Sequence, residues 1–204
     1  AVFNKALPDT HIHSDATAMY VLVLILLLSA ILFSVVVSSL GNWKEYRDKA
    51  LKLIYQLAVF YLALILLKYG LDKIFKNQFY LPELNTLYTP MGDVPRDLLY
   101  WSSMGTSHCY NIFLGSMEGI AALFLLIKRT RLLGLLISSF ILINVFAINI
   151  SFDINVKLFT LLLLIYTFYL LWPYGKKLCQ FFIKESNERS EPKQGGAKKT
   201  WIIY

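Results

Sequence analysis

The chain has 204 residues, of which 57% are hydrophobic, and its formal net charge is +7. An apolar share above that of soluble domains, gathered into long uncharged blocks, excludes an ordinary soluble core and indicates an integral membrane protein. The basic residues lie between the apolar blocks instead of clustering on one folded face, so no nucleic-acid partner is expected.

Five apolar blocks are long enough to cross a bilayer as helices, since the hydrocarbon core needs about twenty residues. The first covers about residues 18–40, and its centre, VLVLILLLSAILFSVVV, carries no charge. It is longer than a signal-peptide core and is predicted to be a retained span. The other four are predicted at about 51–74, 107–127, 132–150 and 156–178. The predicted fold class is therefore all-α, with five transmembrane helices.

The distribution of lysine and arginine predicts the orientation. The links after spans one and three, together with the C-terminal tail, hold fourteen of these residues, whereas the opposite side holds five. Because the cytoplasmic side carries the excess of basic residues, the N-terminus is predicted outside and the C-terminus inside. Cys109 and Cys179 then face opposite sides, so no disulfide is expected between them, and no Cys-x-x-Cys is present.

The segment 79–106 is the longest link, and it is predicted to lie outside. Prolines and glycines interrupt it, yet it is rich in Leu, Tyr and Trp. An interfacial helix is expected near 96–103, with Asp93 as its cap and Pro95 in its first turn. Two interpretations stay open, a lid over the outer mouth of the bundle and an aromatic belt at the lipid headgroups.

The chain divides into three predicted regions. Residues 1–50 form an N-terminal segment with a peripheral transmembrane helix, and 51–183 form a four-helix bundle. Residues 184–204 are polar and predicted to be a disordered cytoplasmic tail. The apolar end of that tail, 201–204, is interpreted either as a docking peptide or as a contact with the membrane surface.

Ionisable residues inside spans two and three are candidates for function, because such groups are unfavourable in lipid unless they are used. Lys68 and Asp72 lie four residues apart and share one helical face, although Lys68 can also extend outward to the headgroups. Asn111, Gly115 and Glu118 form one stripe on span three. Glu118 lies near the bilayer midplane, where an isolated carboxylate costs several kcal/mol, so it must be paired, hydrogen-bonded or protonated.

Spans four and five add further polar groups. Asn144 lies at mid-depth and Asn149 nearer the outer end of span four, while Asp153 and Lys157 lie four residues apart around the start of span five. Hydrogen bonding between membrane helices is the structural alternative for the two asparagines.

One polar pocket that opens outward beneath 79–106 is therefore predicted. Glu118 is the candidate proton relay. The candidate binding residues are Lys68, Asp72, Lys73, Asn111, Gly115, Asn144, Asn149, Asp153 and Lys157. No metal site is predicted, since His11, His13 and His108 lack the spacing of a membrane metal-ligand set.

Residues 51–175 resemble the DoxX-like membrane proteins, in a form similar to Bacteroidetes-type members. The resemblance rests on KYGLDKIF, SMGTSHCYNIFLGSMEGIAALFLLIKRTRLLG and NVFAINISFDINVKLF. It implies a four-helix transmembrane bundle in a bacterial inner membrane, with one extra N-terminal helix here. The positions of interest that it implies are Lys73, Gly115, Glu118, Asn149, Asp153 and Lys157.

Members of that family are linked to quinone-dependent redox reactions, including a thiosulfate:quinone oxidoreductase subunit. The resemblance therefore implies an accessory subunit of a membrane redox complex, with quinone as the candidate cofactor and other membrane subunits as partners. The Cys pair of the wider thiol-redox relatives is absent. Two alternatives stay open, a structural or assembly subunit without chemistry and a small-solute carrier. The carrier ranks last because no inverted repeat is visible.

Overall fold

The computed structural model describes residues 15–39 and 43–180, and these residues form helices without a strand. The helices are α1 (Thr17–Ser39), α2 (Trp43–Ile74), α3 (Leu84–Tyr88), α4 (Arg96–Thr106), α5 (His108–Leu126), α6 (Arg131–Ser151) and α7 (Lys157–Leu171). The chain divides into two compact units after Leu171. In the second, the described part is a 3₁₀ turn, Trp172–Tyr174, followed by helix over 175–180. The predicted disordered tail, its apolar end and the first two histidines lie outside the described residues.

Within residues 15–39 and 43–180, five helices are long and apolar enough to cross a membrane, in agreement with the five apolar helices predicted. They are Thr17–Ser39, Tyr46–Ile74, His108–Leu126, Arg131–Ser151 and Lys157–Gln180. Each overlaps the block predicted from the sequence. A run of about twenty apolar residues is long enough to span the hydrocarbon core as a helix.

Four of these helices form a ring in the order α2, α5, α6, α7. The contacts of α5 with α2 and α6, and of α6 with α7, are extensive, whereas α2 meets α7 sparsely. The inward face of α5 consists mostly of small and polar residues. Its buried residues are Asn111, Gly115, Glu118, Ala121, Ala122 and Leu125. Lipid chains are as apolar as leucine, so membrane helices associate through small side chains and hydrogen bonds.

Glycines set two of the closest helix contacts. A Cβ placed on Gly70 of α2 would lie 2.7 Å from the carbonyl oxygen of Gly115 on α5, and one placed on Gly115 would collide with the oxygen of Gly70. On α6, a Cβ on Gly134 would lie 2.7 Å from the backbone nitrogen of Leu125. Because no side chain separates them, α5 packs backbone to backbone against both neighbours.

The first helix, α1, contributes nothing to the interior of the ring. None of its residues is buried. Just before it, Asp15 accepts hydrogen bonds from the backbone N–H groups of Lys157 (3.1 Å) and Leu158 (2.8 Å). These amides are free at the start of a helix, so a carboxylate there satisfies them and interacts favourably with the helix dipole. Asp15 therefore joins the start of α1 to the start of α7.

The segment 79–106 folds over one end of the ring as α3, a 3₁₀ turn at Met91–Asp93, and α4. The expected interfacial helix corresponds to α4, but the prediction that Asp93 caps it is wrong. Pro95 occupies the N-cap position, and no side chain there bonds a free backbone amide. Asp93 lies in the preceding 3₁₀ turn, because the proline holds extended backbone directly before the helix.

Candidate functional site

A cavity of about 370 Å³ lies inside the ring of α2, α5, α6 and α7, toward the end that carries 79–106. Its lining is polar and aromatic toward that end and apolar deeper in the bundle. The lining residues are Leu66, Tyr69, Asp72, Lys73, Asn77, Gln78, Phe79, Tyr100, Trp101, Glu118, Leu142, Val145, Ile148, Asn149, Ile154, Val156, Phe159, Thr160 and Leu163.

A buried ion pair forms one wall of this cavity. The Lys73 ammonium donates to both carboxylate oxygens of Glu118, over 2.6 Å to Oε1 and 2.7 Å to Oε2. The two side chains are only 8% and 6% exposed. Neither charge would be tolerated alone at this depth, since an unpaired buried charge costs several kcal/mol. Each residue therefore depends on the other, and the pair places one cation and one anion beside the cavity.

The glycine contact positions this pair. Lys73 lies three residues after Gly70 on α2, and Glu118 three residues after Gly115 on α5. The two helices run in opposite directions, so the two charged residues lie about one turn to either side of the point where the helices touch. Residues three apart share a helical face. Because the two backbones meet at the glycines with no side chain between them, the long Lys73 side chain can reach across this contact to both oxygens of Glu118.

A second buried contact links α6 and α7 across the cavity. Asn149 donates from Nδ2 to the hydroxyl of Thr160 over 2.8 Å, and that hydroxyl donates to the carbonyl of Val156 over 2.9 Å. Asn149 and Thr160 are 3% and 4% exposed. A buried amide with a fixed partner holds the two helices in register at the cavity wall.

Gln78 is a cavity residue that the sequence reasoning missed. Its Oε1 atom is buried and accepts no hydrogen bond from the described residues. A buried polar atom without a partner is rare, and it is a position where a bound molecule can donate. The signal in the sequence was weak, because Gln78 lies beyond the end of α2, in the polar stretch KNQ.

Two ion pairs lie at the rim of the bundle and not in its interior. Lys68 donates to Asp72 and Lys157 to Asp153, each over 2.7 Å. The Lys68 side chain is 69% exposed and that of Asp153 is 77% exposed. The hydrogen bond from Lys157 holds the pKa of the Asp153 carboxyl below its ordinary value of 3.8. Of these four residues, only Asp72 lines the cavity.

The structure brings together four of the ten predicted site residues at the cavity, namely Asp72, Lys73, Glu118 and Asn149. Gly115 lies in the helix contact, and Asn111 is fully buried, with Nδ2 donating to the carbonyl of Met104 over 3.0 Å. Lys68, Asp153 and Lys157 form the rim pairs.

Asn144 is exposed on the outside of the bundle. It precedes Asn149 by five residues, which is about 140° of rotation around an α-helix. The two asparagines therefore cannot share a helical face. The prediction that both line one pocket is inconsistent with this geometry.

Aromatic rings form a roof over the end of the cavity that carries 79–106. Phe79 is 2% exposed and packs against Trp101 and Tyr100, with ring centroids 5.3 and 6.1 Å away. Tyr100 also packs against Phe152, at 5.0 Å. Phe79, Tyr100, Trp101 and Phe152 are called the aromatic roof below. Burial raises the pKa of the Tyr100 hydroxyl to about 12, so this group stays neutral near pH 7.

Gly105 makes this roof possible. A Cβ at that position would collide with the carbonyl of Tyr80, so the backbone of the segment after α2 lies directly on α4. That contact seats Phe79 between the end of α2 and the rings of α4.

Within residues 15–39 and 43–180, no group of three or more His, Cys, Asp and Glu stands together in a way that holds a metal ion. The side chains that could hold an organic molecule are instead the buried pair, Gln78, Asn149 and the surrounding rings.

No protein-family model matches this chain, and no solved structure matches it. Among curated proteins, the chain is similar to "Uncharacterized protein YwoB" of Bacillus subtilis (strain 168), with 39% identity over 85 residues. The match covers 42% of this chain and 55% of that protein, so the chain spans about half the length of the curated relative it matches.

Proposed function

We propose that this chain is a DoxX-like membrane bundle that binds the head group of a lipid-soluble quinone as an accessory subunit of a membrane redox complex. The observation that carries the proposal is the buried Lys73–Glu118 pair in the wall of an aromatic-roofed cavity. A few polar groups that converge on a largely apolar cavity are the usual character of a small-molecule site.

The size and character of the cavity suit a small ring. About 370 Å³ lies at the lower end of the range of small-molecule sites, roughly 300–1,000 Å³. Apolar residues such as Leu66, Leu142 and Leu163 line its inner part, where an isoprenoid tail or a ring edge would lie. The rings of Tyr69, Tyr100 and Trp101 offer faces and edges for aromatic contacts with a quinone.

The polar groups provide partners for both redox forms of such a ring. A quinone carbonyl accepts a hydrogen bond from the Lys73 ammonium. A quinol hydroxyl donates to the Glu118 carboxylate or to the unpartnered Oε1 of Gln78. Glu118 is the proposed proton acceptor, because it is the buried carboxylate at the cavity wall and lies next to a compensating cation. Electrons would pass to or from a partner subunit.

The proposed membrane is a bacterial inner membrane, with the N-terminus outside and the C-terminus in the cytoplasm. The support is the excess of Lys and Arg in the links after spans one and three and in the tail. This orientation places the cavity and 79–106 at the outer face.

A second candidate function is that of a structural subunit, and α1 favours it. None of the residues of α1 is buried, so most of its surface is available to lipid or to a helix of another subunit. On this alternative the Lys73–Glu118 pair serves only to hold α2 against α5. Substitutions on α1 would then abolish association with the complex, whereas neutral replacements of the pair would leave it intact.

The proposal is tested by purifying the full chain in mild detergent, extracting bound lipids for quinone analysis, and titrating a short-tailed benzoquinone. Saturable quenching of Trp101 fluorescence is expected, since this residue lines the cavity. The Trp101→Phe variant should lose that component and not the background of the other tryptophans. Absence of bound quinone together with non-saturable quenching would overturn the proposal.

A further inference from the structure

The junction of α2 with α7, which closes the ring of helices, is held differently in its inner half and in its outer half. In the inner half, the Tyr55 hydroxyl donates to the carbonyl of Leu170 over 3.0 Å, and the Tyr166 hydroxyl donates to the carbonyl of Ala58 over 2.9 Å. Tyr61 packs edge-on against Tyr166 with centroids 6.1 Å apart. Side-chain hydrogen bonds to backbone carbonyls hold the two helices together in an apolar medium, so the inner half of this junction is fastened.

The outer half of the same junction, at the level of the cavity, is closed by two rings. Tyr69 of α2 and Phe159 of α7 lie 6.3 Å apart between centroids, and both line the cavity. Among the described residues, no hydrogen bond joins α2 to α7 beyond the Tyr166–Ala58 contact toward the outer end. Neither ring is fully buried. Both rings therefore stand between the cavity and the outside of the ring of helices, and this part of the junction is called the α2–α7 seam.

The aromatic roof is packed more closely than the seam. The aromatic roof has interlocking rings with four centroid distances between 5.0 and 6.1 Å. The contact of the Tyr80 backbone with Gly105 fixes the segment after α2 to α4. Opening the roof requires several rings to move together, whereas opening the seam requires a rotamer change of Tyr69 or Phe159. Rotations of single partly exposed side chains are fast, and displacement of a packed segment is slow.

We infer that ligands reach the cavity sideways through the α2–α7 seam, from the hydrocarbon phase, with Tyr69 and Phe159 as the gate. This inference rests on the proposed binding function and specifies its substrate class, a membrane-dissolved molecule and not a water-soluble one. A ring that passes the gate arrives one helical turn from Lys73, whose ammonium lies 5.9 Å from the centroid of Tyr69. The gate and the polar pair are therefore consecutive on the same path.

The test uses thiol labelling of the full chain in lipid nanodiscs, so that it does not depend on quinone binding. Both native cysteines, Cys109 and Cys179, are exposed and are replaced by serine. Val145 lines the cavity on α6 and is replaced by cysteine. One reagent is an uncharged maleimide with an alkyl chain that dissolves in the bilayer. The other is a sulfonated maleimide that stays in water.

The alkyl reagent should label the Val145→Cys thiol at least about tenfold faster than the sulfonated one. Adding Phe159→Ala should raise the alkyl rate by about tenfold, because it removes half of the gate. Adding Phe152→Ala, which loosens the roof and not the seam, should leave that rate unchanged.

Faster labelling by the sulfonated reagent, acceleration by Phe152→Ala alone, or labelling by neither reagent would each overturn the inference. Ile148→Cys, at a second cavity-lining position on α6, repeats the experiment if Val145→Cys folds poorly. If labelling follows the predicted pattern but the protein binds no quinone, the proposed function fails. The inference that ligands enter through the seam is then retained.

Discussion

Two ion pairs on the same helix show how differently one sequence feature can be used. Lys68 and Lys73 are five residues apart on α2, and each bonds a carboxylate within 2.7 Å. Lys68 bonds its own helix at Asp72 and is 69% exposed, whereas Lys73 bonds α5 at Glu118 and is 8% exposed. Five residues correspond to about 140° of rotation, so the helical face, more than the depth along the span, decides which lysine belongs to the site.

The largest expected effect separates these two lysines. Lys73→Met should lower the free energy of unfolding by about 3–5 kcal/mol, because it leaves the Glu118 carboxylate buried without its partner. Lys68→Met, as the matched control, should change stability far less, since the Lys68 side chain is exposed and can extend to the headgroups, and its removal leaves no buried charge without a partner. Unfolding of the purified protein in mixed micelles measures both. Equal losses in the two variants would break the comparison.

The double variant Lys73→Met/Glu118→Leu sharpens the same comparison. Replacing both charges of a buried pair by apolar residues of similar size is often neutral or stabilising. This variant should therefore recover most of the stability that Lys73→Met loses. A double variant as unstable as the single one would mean that the pair stabilises the bundle in its own right.

The next effect concerns the glycines that bring the pair together. Gly115→Ala should cost about 1–3 kcal/mol, because its Cβ meets the backbone of Gly70 and forces α2 away from α5. Gly119→Ala on the same helix is the control, since nothing lies within 4 Å of a Cβ there. That change should leave stability equal or slightly higher, given the better helix propensity of alanine. Thermal unfolding of both variants decides the point.

A smaller effect separates the two asparagines of α6. Asn149→Leu should cost about 0.6–2 kcal/mol, because it removes the buried hydrogen bond to Thr160. Asn144→Leu should be neutral or stabilising, since its amide is exposed on the lipid side and bonds none of the described residues. If Asn144→Leu is the more harmful change, a partner that binds the outer face of α6 must be present.

The smallest effect is the pH dependence of the exposed pair Asp153–Lys157. Because Lys157 holds the pKa of Asp153 below its ordinary value of 3.8, the pair stabilises the fold above that value. The contribution is lost as the pH falls through the lowered pKa. The melting temperatures of the wild type and Asp153→Asn should therefore differ slightly at pH 6 and converge near the acid limit. A gap that widens toward acid would contradict this assignment.

The sequence was sufficient to predict the five long apolar helices, because an uncharged apolar block of about twenty residues is typical of a membrane-spanning helix. It was less informative about the site. The separation of Lys68 from Lys73, and of Asn144 from Asn149, follows from 140° of rotation and was within reach of helical geometry.

The contact between Lys73 and Glu118 depends on the register of α2 against α5, which the Gly70–Gly115 contact sets. The aromatic roof depends on how 79–106 returns over the bundle. Neither the pairing nor the roof is encoded by local periodicity, so both required the three-dimensional structure.

The central claim is that Lys73 and Glu118 form the polar centre of a ligand site and are more than a link between helices. Isothermal titration of a short-tailed benzoquinone into the wild type and into Lys73→Met/Glu118→Leu tests it most directly, with melting temperatures recorded for both. The account predicts saturable binding to the wild type and its loss in a double variant that melts at a similar temperature. Equal binding by both proteins, or saturable binding by neither, would contradict it.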